Sequence, residues 1–282
     1  METIDLRPSP IAGQWYDGNP KSLARHVDEY LDKAELPALN GKVIGVIAPH
    51  AGHRYSGAVA GYAFAALRGR TPELVAVISP MHHPYFQPLI TTSHEAYATP
   101  LGAIPVDREA VIALDVILKS ELGFGLSPVP RDAEHSLEIE LPFLQRALKS
   151  EWKLLPVMVR AQEADISKGL GHALAQTLKD KNFILVASTD LSHFYDQQTA
   201  KKLDEVMLRQ FESFSPEGAY QTERSGRGFA CGLGAVTAVL WAARELGADT
   251  VKILKHATSG DVTGDYSSVV GYGAAAILKS KT

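Results

Sequence analysis

Short apolar blocks alternate with amphipathic stretches along most of this chain, and the two kinds of segment have different periods. Residues 43–47, "ELVAVISP" (73–80), "KLLPVMVR" (153–160) and "NFILVAS" (182–188) are brief, rich in β-branched residues and bounded by turn formers. Such runs predict buried strands. Between them, "KSLARHVDEYLDKA" (21–34) repeats Leu23, Val27, Tyr30 and Leu31 on one side, as an amphipathic helix does. "SGAVAGYAFAALR" (56–68), "DREAVIALDVILKS" (107–120), "ISKGLGHALAQTLKD" (166–180), residues 199–214 and "CGLGAVTAVLWAARELG" (231–247) also read as helices. Asp107 can cap the second of these. The small residues of 56–68 suit close packing on a sheet.

Some segments are less regular. "YATPLG" and "AIPV" (97–106) predict short edge strands, and residues 251–279 read as two strands separated by a loop. "EHSLEIELPFLQRALK" (134–149) has helical spacing through Leu137, Leu141, Leu144 and Leu148, and Pro142 either kinks that helix or marks its start. Residues 215–230 read as a polar, glycine-rich linker. Strand and helix alternation predicts an α/β protein, and without a low-complexity linker or repeat the chain reads as one domain over residues 1–282.

The chain of 282 residues, 45% hydrophobic, is long enough for a large core. Its 28 basic and 32 acidic residues leave a net charge of −4, which argues against nucleic acid as a partner. One cysteine excludes an internal disulfide framework and fits a reducing compartment. With neither a leader-like segment nor an apolar run of membrane-spanning length, the expectation is a cytoplasmic protein without a membrane partner.

Candidate chemistry gathers where strands end. In "VIAPHAGHRYSG" (46–57), Pro49 and Gly52 stop the strand and force a turn at His50. Ligand crevices of open α/β sheets lie beyond such carboxyl ends. "PMHHPY" (80–85) repeats the arrangement, with His82 the primary candidate and His83 the secondary one. In "STDLSHF", Asp190 and His193 stand three positions apart; the carboxylate either orients the imidazole as an acid or base, or caps the next turn. Cys231 precedes an apolar helix and is open to three readings: metal ligand, packing residue or nucleophile. As a ligand beside His50 and His82 it favours zinc, iron or copper. Glu134 and His135 stand near a helix start and either project towards a pocket or cap it. His53 can share the pocket of His50 or bond within the turn. His94 and His256 read as strand-associated residues, and His26 and His172 as structural or solvated. Nucleotide-binding glycine motifs and the zincin signature are lacking.

Taken together, "AGQWY", "APHAGHRYSG", "SPMHHPY", "EHSLEIELPFL", "STDLSHF", "FACG" and "SVVGYGAA" resemble the Memo family over nearly the whole chain. The family's fold is similar to that of class III extradiol ring-cleaving dioxygenases. The resemblance implies a single three-layer α/β/α domain with a central mixed sheet. It carries metal ligands onto His50, His82 and Cys231, pocket roles onto Asp190 and His193, and a place near substrate onto His135. The dioxygenases hold Fe(II) with two histidines and a glutamate; "FACG" offers Cys231 in the third place, so ring cleavage does not follow from the fold. His53 stands where the family usually has tyrosine. The implied function is a metal-binding protein, with Fe(II) preferred over zinc or copper, acting as an oxidoreductase on a small aromatic substrate. The alternative is a metal-stabilised interaction protein. Microbial members are associated, as protein B of the AmmeMemoRadiSam system, with a radical SAM protein and an AMMECR-type protein, which are the expected partners.

Overall fold

The computed structural model describes residues 5–280. In chain order the elements are β1 (Leu6–Arg7), α1 (Pro20–Asp32), β2 (Lys42–Ala48), α2 (His53–Ala65), β3 (Leu74–Pro80), β4 (Leu89–Thr92), β5 (Ala96–Thr99), β6 (Gly102–Pro105), α3 (Arg108–Leu122) and β7 (Ser127–Val129). They continue with α4 (Leu141–Ala147), β8 (Lys153–Val159), α5 (Ala164–Leu178), β9 (Phe183–Ser188), β10 (His193–Tyr195), α6 (Gln197–Glu212), α7 (Pro216–Arg224), α8 (Leu233–Glu245), β11 (Thr250–Thr258), α9 (Gly260–Thr263) and β12 (Val269–Lys279).

A mixed sheet runs β10-β12-β2-β9-β3-β8-β4-β7, with β11 on the other edge of β12. Strands β2, β9, β3 and β8 are parallel, whereas β12 is antiparallel to β2 and β4 to β8. Helices cover the sheet. Helix α2 packs on β2, β11 and β12 with α1 against it, and α8 packs on β2, β3, β8 and β9 with α5 and α7 beside it. The central strands are buried along almost their whole length, as parallel strands covered by helices must be. One continuous apolar cluster joins both faces. The small residues of α2 serve a helix contact as well as the sheet: a Cβ on Gly61 would stand 2.5 Å from the Tyr30 carbonyl oxygen of α1.

Asp107 caps α3 by accepting from the Ala110 N–H at 3.0 Å, as expected. Pro142 marks a helix start: a single 3₁₀ turn (Glu138–Glu140) leads into α4, and Pro142 falls in its first turn, where the missing N–H costs nothing. The expected linker at 215–230 contains α7, capped by Ser215 with Pro216 in its first turn, so the polar composition there marks a solvated helix face. The short strands near residue 100 form a separate three-stranded sheet, β1-β5-β6. Among the described residues, no helix is long and apolar enough to cross a membrane.

Candidate metal centre

The parallel strands bring their carboxyl ends to one edge. Ala48 of β2 pairs with Ser188 of β9, so His50 and Asp190, each two residues further on, stand side by side. The Asp190 carboxylate accepts the His50 N–H at 2.8 Å and fixes the turn after β2. Residues 191–195 then pair with β12 beyond the end of β2, through Leu191 N–H to Gly271 O at 2.8 Å and the β10 register, and carry His193 to the same edge.

One donor atom from each of His50, His82 and His135 lies within 4.8 Å of the others, close enough for these side chains to hold one metal ion. The Cys231 sulfur, delivered by the turn before α8, lies 3.1 Å from His50 Nε2. Gly232 makes that approach feasible, because a Cβ there would stand 2.3 Å from the Ser188 carbonyl oxygen.

Two ring nitrogens are already committed. His50 Nδ1 contacts Ser188 Oγ at 3.0 Å, and His82 Nδ1 contacts Glu134 Oε1 at 2.9 Å. The Glu134 carboxylate can only accept, so it holds the His82 Nδ1 proton and leaves the His82 Nε2 lone pair for a ligand; a carboxylate behind a ligating histidine also raises its donor strength. Glu134 further accepts N–H groups from His82 (2.6 Å), His135 (3.0 Å) and Ser136 (3.0 Å). Burial would raise its pKa, but the His82 hydrogen bond and the histidine charges outweigh burial and hold it well below the usual carboxylate range. The segment carrying Glu134 is tied to the start of the chain. Buried Arg7 binds Asp132 through Nε and Nη2, both at 2.7 Å, and also binds Glu138 and the Glu134 carbonyl.

The histidines favour their neutral, ligand-competent forms. Burial, helped by His135 and His82, holds His50 well below the usual imidazole range, and burial lowers His135 to about 4. His193 is lowered, first by burial, and its Nδ1 bonds the Leu191 carbonyl at 2.8 Å. Burial and then the Asp190 charge push the Cys231 thiol above its ordinary range, so the metal-free sulfur carries its proton. Burial raises Asp190 to about 7, against the His50 and Ala51 N–H groups that favour its charge.

The expected pairing of Asp190 with His193 does not form: Asp190 turns to the His50 backbone, and His193 turns to a backbone carbonyl. The turn that follows β9 pairs into the sheet edge instead of coiling, and that separates the two side chains. His135 comes together with His50 and His82; its ring stacks on Trp15 with centroids 4.0 Å apart and on His82 at 4.7 Å. His83 is exposed beside the site. His53 is buried behind it, bonded through Nε2 to the Ile139 carbonyl at 3.0 Å. Trp15, Ser188 and Glu140 carried no chemical signal in the sequence, since their contacts join distant segments. Away from the site, His94 pairs with Asp5, His172 with Glu245 and His256 with buried Asp204. His26 stands 3.7 Å from Asp17.

The family model described as "Memo-like protein" matches residues 7–276. The chain belongs to the Memo family. A MEMO1 family protein of Nitrosopumilus maritimus is 34% identical over 273 residues, covering 95% of this chain and 98% of the relative. One from Thermotoga neapolitana is 34% identical over 278 residues, with coverage of 95% and 98%. One from Methanopyrus kandleri is 32% identical over 279 residues, with coverage of 95% and 97%. The donors of this Memo chain therefore sit on segments aligned within an end-to-end match, not on a shared fragment.

Beside the donors is a cavity of about 650 Å³, lined by Trp15, Tyr55, Val270 and Tyr272 with Ser259 and Asp265 among its polar groups. Trp15 links it to His135, and Ala51 of its wall follows His50. Among the described residues, neither Lys nor Arg lines it.

Proposed function

We propose that this Memo protein holds a transition-metal ion on His50, His82 and Cys231, with Fe(II) the working ion, and acts as an oxidoreductase on a small aromatic substrate. The observation that carries the reading is the convergence of the free Nε2 atom of His50 with the Cys231 sulfur at 3.1 Å, beside a second histidine whose Nδ1 is tied to Glu134. The two atoms are close enough that one ion could take both as ligands. His135 is assigned the adjoining role. Its ring stacks on that of His82, 19° from parallel, and would stand beside an ion held by the other three residues.

The donor chemistry fits iron, zinc or copper better than magnesium or calcium, because imidazole and thiolate are softer than carboxylate oxygen. Bound iron would supply Lewis acidity and one-electron redox chemistry. The chain's own groups supply the rest. His193, whose Nδ1–H donates to the Leu191 carbonyl, presents Nε2 as a proton acceptor, and Asp190, raised by burial to about 7, can hold or release a proton. The cavity's aromatic wall and lack of basic groups favour an uncharged organic molecule over an anion. Sulfur in the third position makes rapid cleavage of ordinary catechols unfavourable, since a thiolate ligand is itself oxidisable.

A second reading, a metal-stabilised interaction protein, is favoured by Phe86 and Phe194, which are 102% and 77% exposed on the segments that follow His82 and His193. Radical SAM and AMMECR-type proteins are the proposed partners. The test is anaerobic Fe(II) binding by chelator competition, followed by an oxygen-consumption and mass-spectrometric screen of small aromatics. The reading requires one ion per chain, its loss in His50→Ala, and metal-dependent product. Stable binding without turnover across the screen would support the second reading, and no binding would end both.

A further inference from the structure

Behind His50 lies a buried hydroxyl with a single hydrogen for three contacts. Ser188 Oγ lies 3.0 Å from His50 Nδ1, 2.7 Å from the Ser136 carbonyl oxygen and 2.7 Å from Glu140 Oε1. All four residues converge where accessibility is lowest: Ser136, Glu140 and Ser188 are fully buried and His50 nearly so. Each contact needs one proton. The Ser136 carbonyl brings none and the serine hydroxyl brings one. The other two must come from His50 Nδ1 and from Glu140.

We propose that Glu140 is a neutral carboxylic acid that donates through Oε1 to Ser188, a positioning residue that sets His50 through the serine. The hydroxyl hydrogen then points to Ser136, and its oxygen accepts from both Glu140 and His50 Nδ1. Its other oxygen supports the same state. Among the described residues, Glu140 Oε2 is buried with no hydrogen-bond partner. An unpaired carbonyl oxygen of a neutral acid costs far less there than an unpaired carboxylate oxygen. Burial pushes the Glu140 carboxyl well above its ordinary range, against the Ser188 hydrogen bond, and the neighbouring Asp190 charge adds to the rise. The consequence is a His50 that offers Nε2 to the site with its ring held from behind.

The consequence for metal affinity rests on the metal-binding reading, but the proton assignment does not, so the decisive measurements use the metal-free full chain. Infrared difference spectra between the native protein and Glu140→Gln at pH 7 should show loss of the carbonyl stretch of a protonated acid, shifting in D₂O. Loss of carboxylate bands instead would overturn the proposal. Nitrogen-15 NMR should find His50 protonated at Nδ1; a proton on Nε2 would also overturn it. Gln and Leu have similar volume, but only Gln can donate to Ser188. The His50 Nδ1 proton resonance should therefore stay near its native position in Glu140→Gln and move in Glu140→Leu, whereas equal behaviour of the two would leave Glu140 a space-filling residue and refute the positioning role. If Glu140→Leu does not fold, Ser188→Ala replaces it and should release the Nδ1 preference; an unchanged tautomer there would refute the role equally. Zinc affinity, measured separately by chelator competition, should stay within a few-fold in Glu140→Gln and fall about tenfold in Ser188→Ala, the low end of the usual effect of removing a partner behind a ligand.

Discussion

The pH dependence of metal affinity separates a sulfur ligand from an all-histidine site. Cys231 carries its proton in the metal-free protein, because burial and the Asp190 charge raise the thiol above its ordinary range. A metal that binds this sulfur must release that proton, so affinity should rise tenfold for each pH unit while the thiol remains protonated. His50 and His135 are held neutral by burial, the latter with a pKa of about 4, and release no proton above pH 7. From pH 7 to 8.5 the sulfur's share is about 30-fold, or about 2 kcal/mol. The assay is anaerobic competition for Zn(II) against a chromophoric chelator, run on the native protein and on Cys231→Ser. Water bound to the ion can also lose a proton in this range, so the informative quantity is the difference between the two slopes. The native slope should exceed that of the variant by about one proton per ion. Parallel slopes would refute sulfur ligation and return the third position to His135.

Other consequences follow from the same contacts. Arg7→Met should cost about 3–5 kcal/mol in denaturant unfolding, because it strands the buried carboxylates of Asp132 and Glu138, and it should weaken metal binding through the segment that carries Glu134. His193→Ala should leave chelator-measured metal affinity within a few-fold and abolish proton-coupled turnover; metal loss as severe as in His50→Ala would instead make His193 a ligand. Burial lowers His53 to about 4, so the unfolded chain binds its proton between that value and the ordinary imidazole range while the folded chain does not. Its contribution is complete above about pH 6.5 and is lost as pH falls through 4, up to about 3 kcal/mol, and His53→Phe should flatten the acid limb of the stability profile by that amount.

The alternation of apolar runs and amphipathic stretches carried the main elements, because parallel strands buried between helices leave a strong signal in the sequence. The motifs also brought His50, His82, Asp190, His193 and Cys231 to one edge, since each stands just beyond a strand or before a helix. What the sequence did not reveal depends on contacts between distant segments. Asp190 and His193, three residues apart, looked like natural partners; a strand pairing with β12 separates them, and no local pattern encodes that pairing. The serine and glutamate behind His50 lie 48 residues apart in the chain and appear as ordinary core and helix residues until β9 and the turn before α4 meet. Helix α7 was hidden by its polarity, although Ser215 followed by Pro216 is a readable cap.

X-ray absorption on the full chain, reduced and loaded anaerobically with one equivalent of Fe(II), tests the proposed centre most directly. The account predicts a first shell of nitrogen or oxygen donors near 2.1 Å with one sulfur near 2.3 Å, bond lengths typical of imidazole and thiolate ligation. The sulfur contribution should disappear in Cys231→Ser, and the bound metal should be lost when His50, His82 and Cys231 are replaced together. A native spectrum without sulfur would contradict the assignment of Cys231. Metal retained at full occupancy by the triple variant would contradict the centre itself.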